Sequence, residues 1–294
     1  MNDNIISEGG LSRSGLYSFN NESKLVVSIV TVVLNDPDGL TNTIESVLNQ
    51  NYSNLEFIII DGGSKEKTIS VIKRFDDSIE YWSSEKDKGI YDAMNKGINI
   101  SSGDIIGILN AGDCYCNNTF SIVQDAFNSS NHPQVVFGDV IMCKQNKDRL
   151  YTASVQKRIF KDGWMPHPAV FVKREVYEQF GRFDLKLRVS ADYDFMLRIK
   201  SKTKMKYVEQ PLAKMNIVGV STSNYLLKAK ENHYSRKKNG IPVIKNILLT
   251  AFSVLSQIIS DFIRIIFGFP EFRFENNSLL LWVRKKQSVF MGNN

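Results

Sequence analysis

Cysteine and histidine are both scarce in this chain of 294 residues, which contains three of each. The cysteines are too few and too irregularly spaced for a disulfide framework or a four-ligand zinc site. Cys114 and Cys116 are separated by one residue, and neither Cys143 nor any second pair completes a metal-binding motif with them. The sequence therefore argues against a small disulfide-stabilised protein and against a zinc-binding module.

The amino terminus lacks a hydrophobic run. Residues 1–24 are polar and rich in glycine and serine, without the continuous apolar core of a signal peptide. We expect a loose N-terminal arm over these residues and a chain that remains in the reducing cytoplasm. The sequence also lacks a nucleic-acid-binding module such as paired zinc fingers, which argues against a nucleic-acid partner.

Positive charge is concentrated near the carboxyl terminus. The formal net charge is +6, whereas residues 225–294 contain 11 Lys and Arg against 4 Asp and Glu, so the preceding part of the chain has a net charge of −1. A basic tail on a nearly neutral domain is typical of a protein that contacts an anionic surface. We expect this surface to be a membrane, in preference to polyphosphate or nucleic acid.

Hydrophobic residues in the first half of the chain alternate between strand-like and helix-like patterns. The pattern predicts strands at 26–34, 57–60, 79–82 and 105–109, and helices at 40–48, 69–75 and 90–98. Shorter strands at 135–138, 141–143, 150–151 and 169–172 then precede helices at 174–180 and 192–200. Such alternation predicts an α/β fold with a mostly parallel central sheet flanked by helices.

Residues 241–269 have a different character. Residues 246–260 carry no charge, but 15 residues are fewer than the roughly 20 needed to cross a bilayer. Apolar residues recur at helical spacing, with polar residues on the opposite side, so we expect an amphipathic helix and not a transmembrane one. The predicted organisation is an N-terminal arm at 1–24, a catalytic domain at 25–220 and a basic helical extension at 221–294.

Acidic residues follow several of the predicted strands. Asp61 and Asp113 lie at strand ends, Asp87 precedes a helix, and Asp192 begins a later one. Ligands of parallel sheets bind beyond the carboxyl ends of the strands, which makes these residues candidates for a binding site. Taken singly, each also has a structural explanation, since aspartate is common in turns and at helix N-caps.

The order of the motifs is more specific than any one of them. Over about residues 25–215 it resembles the inverting family-2 glycosyltransferases with the GT-A fold, and bacterial polysaccharide transferases of the colanic-acid type in particular. The segments that carry the resemblance are VSIVTVVLN (27–35), SVLNQNY (46–52), EFIIIDGGS (56–64), KDKGIYDAMNKG (86–97), LNAGD (109–113), MPHP (165–168) and ADYDFMLR (191–198).

The resemblance implies roles for particular residues. Asp61 would hydrogen-bond the base of a nucleotide-sugar donor, Asp87 would lie near its ribose or sugar, and Asp113 would hold Mg²⁺ or Mn²⁺ against the diphosphate. Asp192 corresponds to the catalytic base that takes the proton from the acceptor hydroxyl. Further donor contacts are implied at Thr31 and Val33, which with Asn35 would form the loop after the first strand, and at Tyr91 and Asn110.

Two positions depart from the family pattern. Asn110 replaces the first aspartate of the metal motif, which removes one negative charge, and Ala191 replaces the acidic residue that often precedes the base. Three further side chains could face the acceptor or a phosphate, or could have only structural roles: His167, Asp194 and Arg198. Trp164 could offer an apolar face to a sugar or pack in the interior.

The implied activity is transfer of a sugar, from a UDP-sugar by preference, to a glycan or lipid-linked glycan in cell-surface polysaccharide synthesis. The enzyme would work in the cytoplasm, in peripheral contact with the inner membrane face through 241–269.

A sugar-nucleotide pyrophosphorylase and a catalytically silent scaffold are the alternatives. The first would carry a Gly-rich, Arg-containing loop after the first strand, and the retained acidic residues argue against the second. A dehydrogenase is excluded because the G-x-G-x-x-G motif is missing.

Overall fold

The structure of the chain, a computed structural model, describes residues 5–11, 25–144, 147–151, 166–216 and 224–267. The chain divides into two units, one over residues 1–219 and the other over residues 220–294. Trp164 and the last two residues of the expected amphipathic segment, 268 and 269, lie outside the described residues.

The first unit alternates strands with helices. Its strands are β1 Ser7–Gly9, β2 Val27–Val33, β3 Leu55–Asp61, β4 Tyr81–Ser84, β5 Ile105–Asn110, β6 Cys114–Tyr115, β7 Val135–Lys144, β8 Lys147–Tyr151, β9 Val170–Lys173 and β10 Met205–Asn216. Its helices are α1 Pro37–Leu48, α2 Glu66–Arg74, α3 Ile90–Ile100, α4 Thr119–Phe127, α5 Arg174–Phe180 and α6 Ala191–Ile199, with 3₁₀ turns at Asp76–Ser78 and His167–Ala169.

These strands form one mixed sheet in the order β1-β4-β3-β2-β5-β9-β7-β10-β6, and β8 pairs with β7. Strands β4, β3, β2 and β5 run parallel to one another, as do β7 and β10. Strand β9 lies antiparallel between β5 and β7. A parallel block with connecting helices confirms the α/β architecture that the alternating pattern predicts.

The hydrophobic core lies on both faces of the sheet. Strand β2 is buried along its whole length because Ile29 packs in a cluster with α1 and α4, while Val30 packs in a second cluster with α3 and α6. Helix α3 lies directly on the sheet, since a Cβ atom on Gly97 would overlap Val30 Cγ1. This close packing holds the first turn of α3, which contains Tyr91, over the carboxyl edge of the parallel strands.

Several local predictions were wrong. Residues 7–9 of the expected loose arm form β1, which pairs antiparallel with β4 at the edge of the sheet. Strand β7 is continuous over ten residues, where two shorter strands were expected. Helix α4 and the twelve-residue strand β10 were not predicted. Thr31 and Val33 lie within β2 and not in the loop that follows it.

The second unit consists, in its described part, of helices α7 Tyr225–Lys238 and α8 Val243–Phe267. The two helices are joined by hydrogen bonds between polar side chains. Arg236 is buried, and its guanidinium donates to Asn246 Oδ1 at 2.7 Å and to Thr250 Oγ1 at 2.8 Å. Asn246 Nδ2 donates to the carbonyl of His233 at 3.0 Å. Two polar residues near the start of α8, Asn246 and Thr250, are therefore bonded to α7.

Candidate active site

The candidate site lies at the carboxyl edge of β2, β3 and β5. Val33 of β2 pairs with Asp61 at the end of β3, and Val32 pairs with Asn110 at the end of β5. The parallel register therefore places Asp61 and Asn110 on either side of the end of β2. This edge is where open α/β sheets bind their ligands.

Asp61 is fully buried, and one of its two carboxylate oxygens has hydrogen-bond partners. Its Oδ2 accepts hydrogen bonds from the backbone N–H groups of Gly63 at 3.0 Å and Ser64 at 2.8 Å, and from Ser84 Oγ at 2.6 Å. Its Oδ1 is buried and has no hydrogen-bond partner among the described residues. A buried acceptor without a hydrogen bond lowers the stability of the folded protein by about 1–3 kcal/mol. This oxygen therefore suits a ligand that carries an N–H group.

Asp87 lies beside the loop that follows Asp61. A Cβ atom on Gly62 would overlap Asp87 Oδ2, so the absence of a side chain at Gly62 allows this approach. Asp87 Oδ1 accepts a hydrogen bond from the N–H of Gly89 at 2.9 Å. Burial raises the pKa of Asp87 above its ordinary value, and the bond to Gly89 opposes that rise. The structure thus brings Asp87 and the Asp61 loop together, although 26 positions separate the two aspartates.

Asn35 joins two loops at the same edge. Its backbone has a φ of 54°, in the left-handed region that asparagine tolerates. Its N–H donates to Ser64 Oγ at 2.7 Å, and its Oδ1 accepts from the N–H of Lys65 at 2.9 Å. Thr31, by contrast, points into the interior, and its Oγ1 has no hydrogen-bond partner among the described residues. Asn35 therefore stabilises the conformation of the two loops, whereas the side chains of Thr31 and Val33 are buried.

Asp113 is buried in the turn between β5 and β6. Its Oδ1 accepts a hydrogen bond from the N–H of Asn216 at 3.0 Å, and its carbonyl accepts from Thr43 Oγ1 at 2.7 Å. Burial raises the pKa of Asp113 to about 7, and the Asn216 bond opposes the rise. Within the described ranges, no group of three or more His, Cys, Asp or Glu side chains is placed to hold a metal ion. Among the described residues, these side chains alone would not complete the coordination of a cation at Asp113.

Asp192 lies in the first turn of α6, and its side chain is 27% exposed. Its Oδ1 accepts a hydrogen bond from the hydroxyl of Tyr91 at 2.9 Å, and its Oδ2 lies 3.9 Å from His167 Nδ1. Burial and the adjacent Asp192 carboxylate raise the pKa of Tyr91, so its phenol remains protonated and donates. Tyr91, expected at the donor, is thus held against Asp192 by its hydroxyl.

His167 lies between Asp192 and Asn110. Its Nε2 is 3.0 Å from Asn110 Nδ2, and its side chain is 19% exposed. Burial lowers the pKa of His167, and the nearby Asp192 carboxylate opposes that fall. The imidazole is therefore neutral at pH 7. These contacts form a chain from Asn110 through His167 to Asp192 and Tyr91.

Asp194 and Arg198 form a separate, structural pair. Asp194 is fully buried, and its Oδ2 accepts from Arg198 Nη2 at 3.2 Å. The same guanidinium donates to the carbonyls of Phe180 at 2.6 Å and Arg182 at 2.9 Å. Arg198 thus anchors the segment after α5, and the geometry places neither side chain toward an acceptor or a phosphate.

Sequence reasoning missed several residues of the site. Ser84 and Gly62 gave no distinctive signal, because serine at a strand end and glycine in a turn are common. The contact of Tyr91 with Asp192 joins residues 101 positions apart, and local patterns carry no information on such a contact.

The open sheet, with carboxylate and amide side chains at the ends of its parallel strands, has the GT-A architecture. Solved structures agree on the fold. Staphylococcus aureus TarS 1–349 in complex with UDP-GlcNAc superposes with a TM-score of 0.61 at 13% identity, covering 87% of this chain and 76% of that one. Mannosyltransferase PcManGT from Pyrobaculum calidifontis, in complex with GDP-Man and Mn²⁺, gives a TM-score of 0.55 at 13% identity, covering 77% and 68%.

Sequence relatives point to the same class. An uncharacterised glycosyltransferase of Mycobacterium tuberculosis is 32% identical over 177 residues, which span 58% of this chain and 68% of the relative. A PGL/p-HBAD biosynthesis glycosyltransferase of Mycobacterium bovis is 28% identical over 198 residues, or 65% and 77%. The family model described as Glycosyl transferase family 2 matches residues 28–185. The chain belongs to this family and is a glycosyltransferase.

Proposed function

We propose that this enzyme transfers a sugar from a nucleoside-diphosphate sugar, with UDP as the preferred nucleotide, to a hydroxyl of a glycan or lipid-linked glycan, and that it inverts the anomeric centre. The observation that carries the proposal is the state of the Asp192 carboxylate. One of its oxygens is occupied by Tyr91, and the other is partly exposed at the edge of the sheet that carries Asp61 and Asn110. A group held in this way suits proton abstraction.

The donor would bind with its base against Asp61. The buried Oδ1 of that carboxylate is an acceptor without a partner among the described residues, and the imide N–H of a uracil would satisfy it. Asp87, held close to the Asp61 loop by Gly62, would lie beside the ribose or the sugar. This arrangement calls for a base with an N–H donor, which uracil has, and leaves the sugar to be determined by experiment.

The buried carboxylate of Asp113 fits a hard divalent cation, Mg²⁺ or Mn²⁺. Burial raises the pKa of this carboxyl, and a bound cation would favour its charged form. Mg²⁺ and similar ions commonly bind through one or two carboxylates together with substrate phosphates and water. When bound, the ion would supply neutralisation of the charge on the departing nucleoside diphosphate. The protein alone does not complete a coordination shell in its described part, so we expect the metal and the diphosphate to bind together.

Asp192 would act as the general base in a single displacement. Its Oδ2 accepts the proton of the acceptor hydroxyl, while the oxygen of that hydroxyl forms a bond to the anomeric carbon and the bond to the diphosphate breaks. The base and the leaving group lie on opposite sides of the sugar in such a reaction, and the configuration is therefore inverted. Tyr91 keeps Oδ1 occupied, which directs the acceptor to Oδ2.

A panel of donors tests the proposed activity. We expect UDP-sugars, in the presence of Mn²⁺, to raise the melting temperature of the full chain more than GDP- or dTDP-sugars, since a bound ligand stabilises the folded state. We also expect slow hydrolysis of the preferred donor without added acceptor. Binding with no hydrolysis or transfer would favour a silent scaffold. Formation of a nucleotide sugar from a nucleoside triphosphate and a sugar phosphate would favour a pyrophosphorylase.

The second unit is proposed to contact an anionic membrane peripherally. Asn246 and Thr250 of α8 are bonded to α7, whereas eight large apolar side chains of α8 are 41–76% exposed: Val243, Ile244, Ile247, Leu248, Phe252, Leu255, Ile258 and Phe262. Exposed basic side chains accompany them at Lys230, Lys237, Lys238 and Lys245. An apolar stripe beside lysines is typical of a helix that lies in the membrane interface.

The length of α8 raises a second arrangement. Residues 243–262 are long and apolar enough, by length and composition, to cross a bilayer. The two arrangements differ in their response to alkaline carbonate, which releases peripheral proteins and leaves spanning helices in the membrane. We propose the peripheral arrangement because the polar side chains of Asn246 and Thr250, near the start of α8, form hydrogen bonds with α7.

Flotation with liposomes tests the membrane proposal. We expect the full chain to float with anionic vesicles at low salt, to bind less at high salt, and to bind neutral vesicles weakly, because about 1 kcal/mol comes from each basic residue at the surface. Leu248→Glu with Leu255→Glu should abolish flotation, and Ser253→Glu, also on an exposed position of α8, is the matched control. A chain that stays unbound on anionic vesicles at low salt, or that floats equally well when truncated after Val220, would contradict the proposal.

A further inference from the structure

Asn110 stands where the family pattern has an aspartate, and its side chain contacts a histidine. Asn110 Nδ2 lies 3.0 Å from His167 Nε2, and the two residues are 57 positions apart in the chain. On its other side the imidazole presents Nδ1 to Asp192 Oδ2 at 3.9 Å. His167 therefore connects the first position of the metal motif with the carboxylate proposed as the base.

The contact with Asn110 determines which ring nitrogen of His167 carries the proton. In the amide orientation that the structure shows, Asn110 Nδ2 donates and His167 Nε2 accepts, which requires Nε2 to be unprotonated, while Asn110 Oδ1 is buried without a hydrogen-bond partner among the described residues. A neutral imidazole has one N–H group, which is then at Nδ1. That N–H is on the side of the ring that faces Asp192. The distance of 3.9 Å is longer than a hydrogen bond, and contacts of this kind commonly shorten when substrates bind.

We propose that Asn110 sets the Nδ1–H tautomer of His167, and that His167 in this tautomer is a positioning residue for the Asp192 carboxylate. The inference rests on the proposed role of Asp192 as the base. Tyr91 donates to Oδ1 of Asp192, and the His167 N–H is directed to Oδ2. Tyr91 already holds one oxygen, and shortening of the His167 contact on substrate binding would hold the other, so that the plane of the carboxylate is fixed and the base needs less reorganisation when the acceptor arrives.

The identity of residue 110 matters for a chemical reason. An aspartate here would accept a hydrogen bond from a protonated Nε2 of His167. It would therefore favour the opposite tautomer or the imidazolium. In the opposite tautomer, the Nδ1 lone pair of His167 would face Asp192 Oδ2, and two acceptors would repel each other. Asparagine is thus the residue that supports the donor on the Asp192 side. In this proposal, asparagine at position 110 serves to orient the base, and it is not a sign that the metal site is degraded.

Nitrogen NMR of the full chain tests the tautomer directly. The sequence has only three histidines, His132, His167 and His233, so the signals of His167 can be assigned by their loss in a His167→Asn variant. We expect the long-range ¹H–¹⁵N spectrum of wild type at pH 7.5 to show Nδ1 protonated and Nε2 unprotonated. Asn110→Asp should move the proton to Nε2 or protonate both nitrogens. Asn110→Ala removes the donor without adding an acceptor, and it should give a mixture of the two neutral tautomers of His167. This variant replaces Asn110→Asp in the test if Asn110→Asp does not fold. A wild type with its proton on Nε2, or variants with an unchanged tautomer, would overturn the proposal.

A pair of histidine replacements tests the positioning role. The amide nitrogen of asparagine lies near the place of Nδ1, and that of glutamine lies near the place of Nε2. We expect donor turnover of His167→Asn to stay within a few-fold of wild type and that of His167→Gln to fall by about 10–100-fold, the usual effect of losing a group that orients a reacting one. The KM for the donor should be unchanged in both. Equal losses in the two variants, or a loss confined to KM, would contradict this role.

The two readouts separate this inference from the proposed function. If the NMR spectra show the expected tautomers while Asp192→Asn retains full activity, the proposed base is wrong and the contact between Asn110 and His167 stands. If Asp192→Asn is inactive but the tautomer of His167 does not depend on residue 110, the proposed function stands and the inference fails.

Discussion

Replacing Asp192 by asparagine is expected to lower turnover by roughly 10²–10⁴-fold, the usual contribution of general base catalysis. Asparagine keeps the size of the side chain and can still accept the hydrogen bond from Tyr91, but it cannot take a proton from the acceptor hydroxyl. Donor affinity should hardly change, because the base acts on the acceptor. Turnover with a saturating donor, together with the melting-temperature shift that the donor produces, measures the two effects separately.

Asp194→Asn provides a matched control on the same helix. Asp194 is fully buried and bonded to Arg198, which in turn anchors two carbonyls, so this change removes the charge of a structural pair. We expect a lower melting temperature, since breaking a buried pair is destabilising, and turnover of the folded protein within a few-fold of wild type. Near-normal turnover by Asp192→Asn would assign the base to another group, and a large loss in Asp194→Asn alone would identify that group.

Replacing Asp113 by alanine is expected to abolish the stabilisation that a nucleoside diphosphate and a divalent ion produce together. The described part of the chain places no other cluster of metal-ligating side chains, so the loss of this carboxylate should leave the metal bound only through phosphates. For wild type in saturating metal, with the nucleotide at 100 times its apparent Kd, the stabilisation by the nucleotide is about 2.7 kcal/mol. Differential scanning fluorimetry with nucleotide alone, metal alone and both measures this coupling.

Asp113→Asn tests whether the loss of binding reflects damage to the fold. Because burial raises the pKa of Asp113 to about 7, the folded protein favours the protonated carboxyl between the ordinary value of 3.8 and that pKa. The stability that this group contributes is lost as the pH rises through the same range, and above pH 7 the bare carboxylate opposes folding. The metal-free melting temperature of Asp113→Asn at pH 8 should therefore be no lower than that of wild type. An unchanged metal-dependent shift in either variant would refute the metal assignment.

The predicted strands and helices of the parallel block agree with the structure because each is specified by its own residues. Strand β2 is nearly continuous in apolar residues, and helix α5 was predicted over the same seven residues that form it. Of the two missed elements, strand β10 lacks such a signal. Strand β10 contains Pro211 and alternates lysines with apolar residues, and it is a strand only because β7 and β6 pair with it on either side. Helix α4, by contrast, carries a clear apolar spacing that the sequence reading overlooked.

The sequence by itself determined the fold class, the family and the identity of the acidic residues at the strand ends. These depend on local hydrophobic periodicity and on the order of short motifs, both of which can be read along the chain. The contacts among Asn110, His167, Asp192 and Tyr91 were decided only by the tertiary structure. They join four separate elements across 25 to 101 positions, and the distances that define them depend on how α3, α6 and the His167–Ala169 turn pack on the sheet. Motif spacing does not constrain that packing, because the same motifs remain compatible with many positions of the side chains.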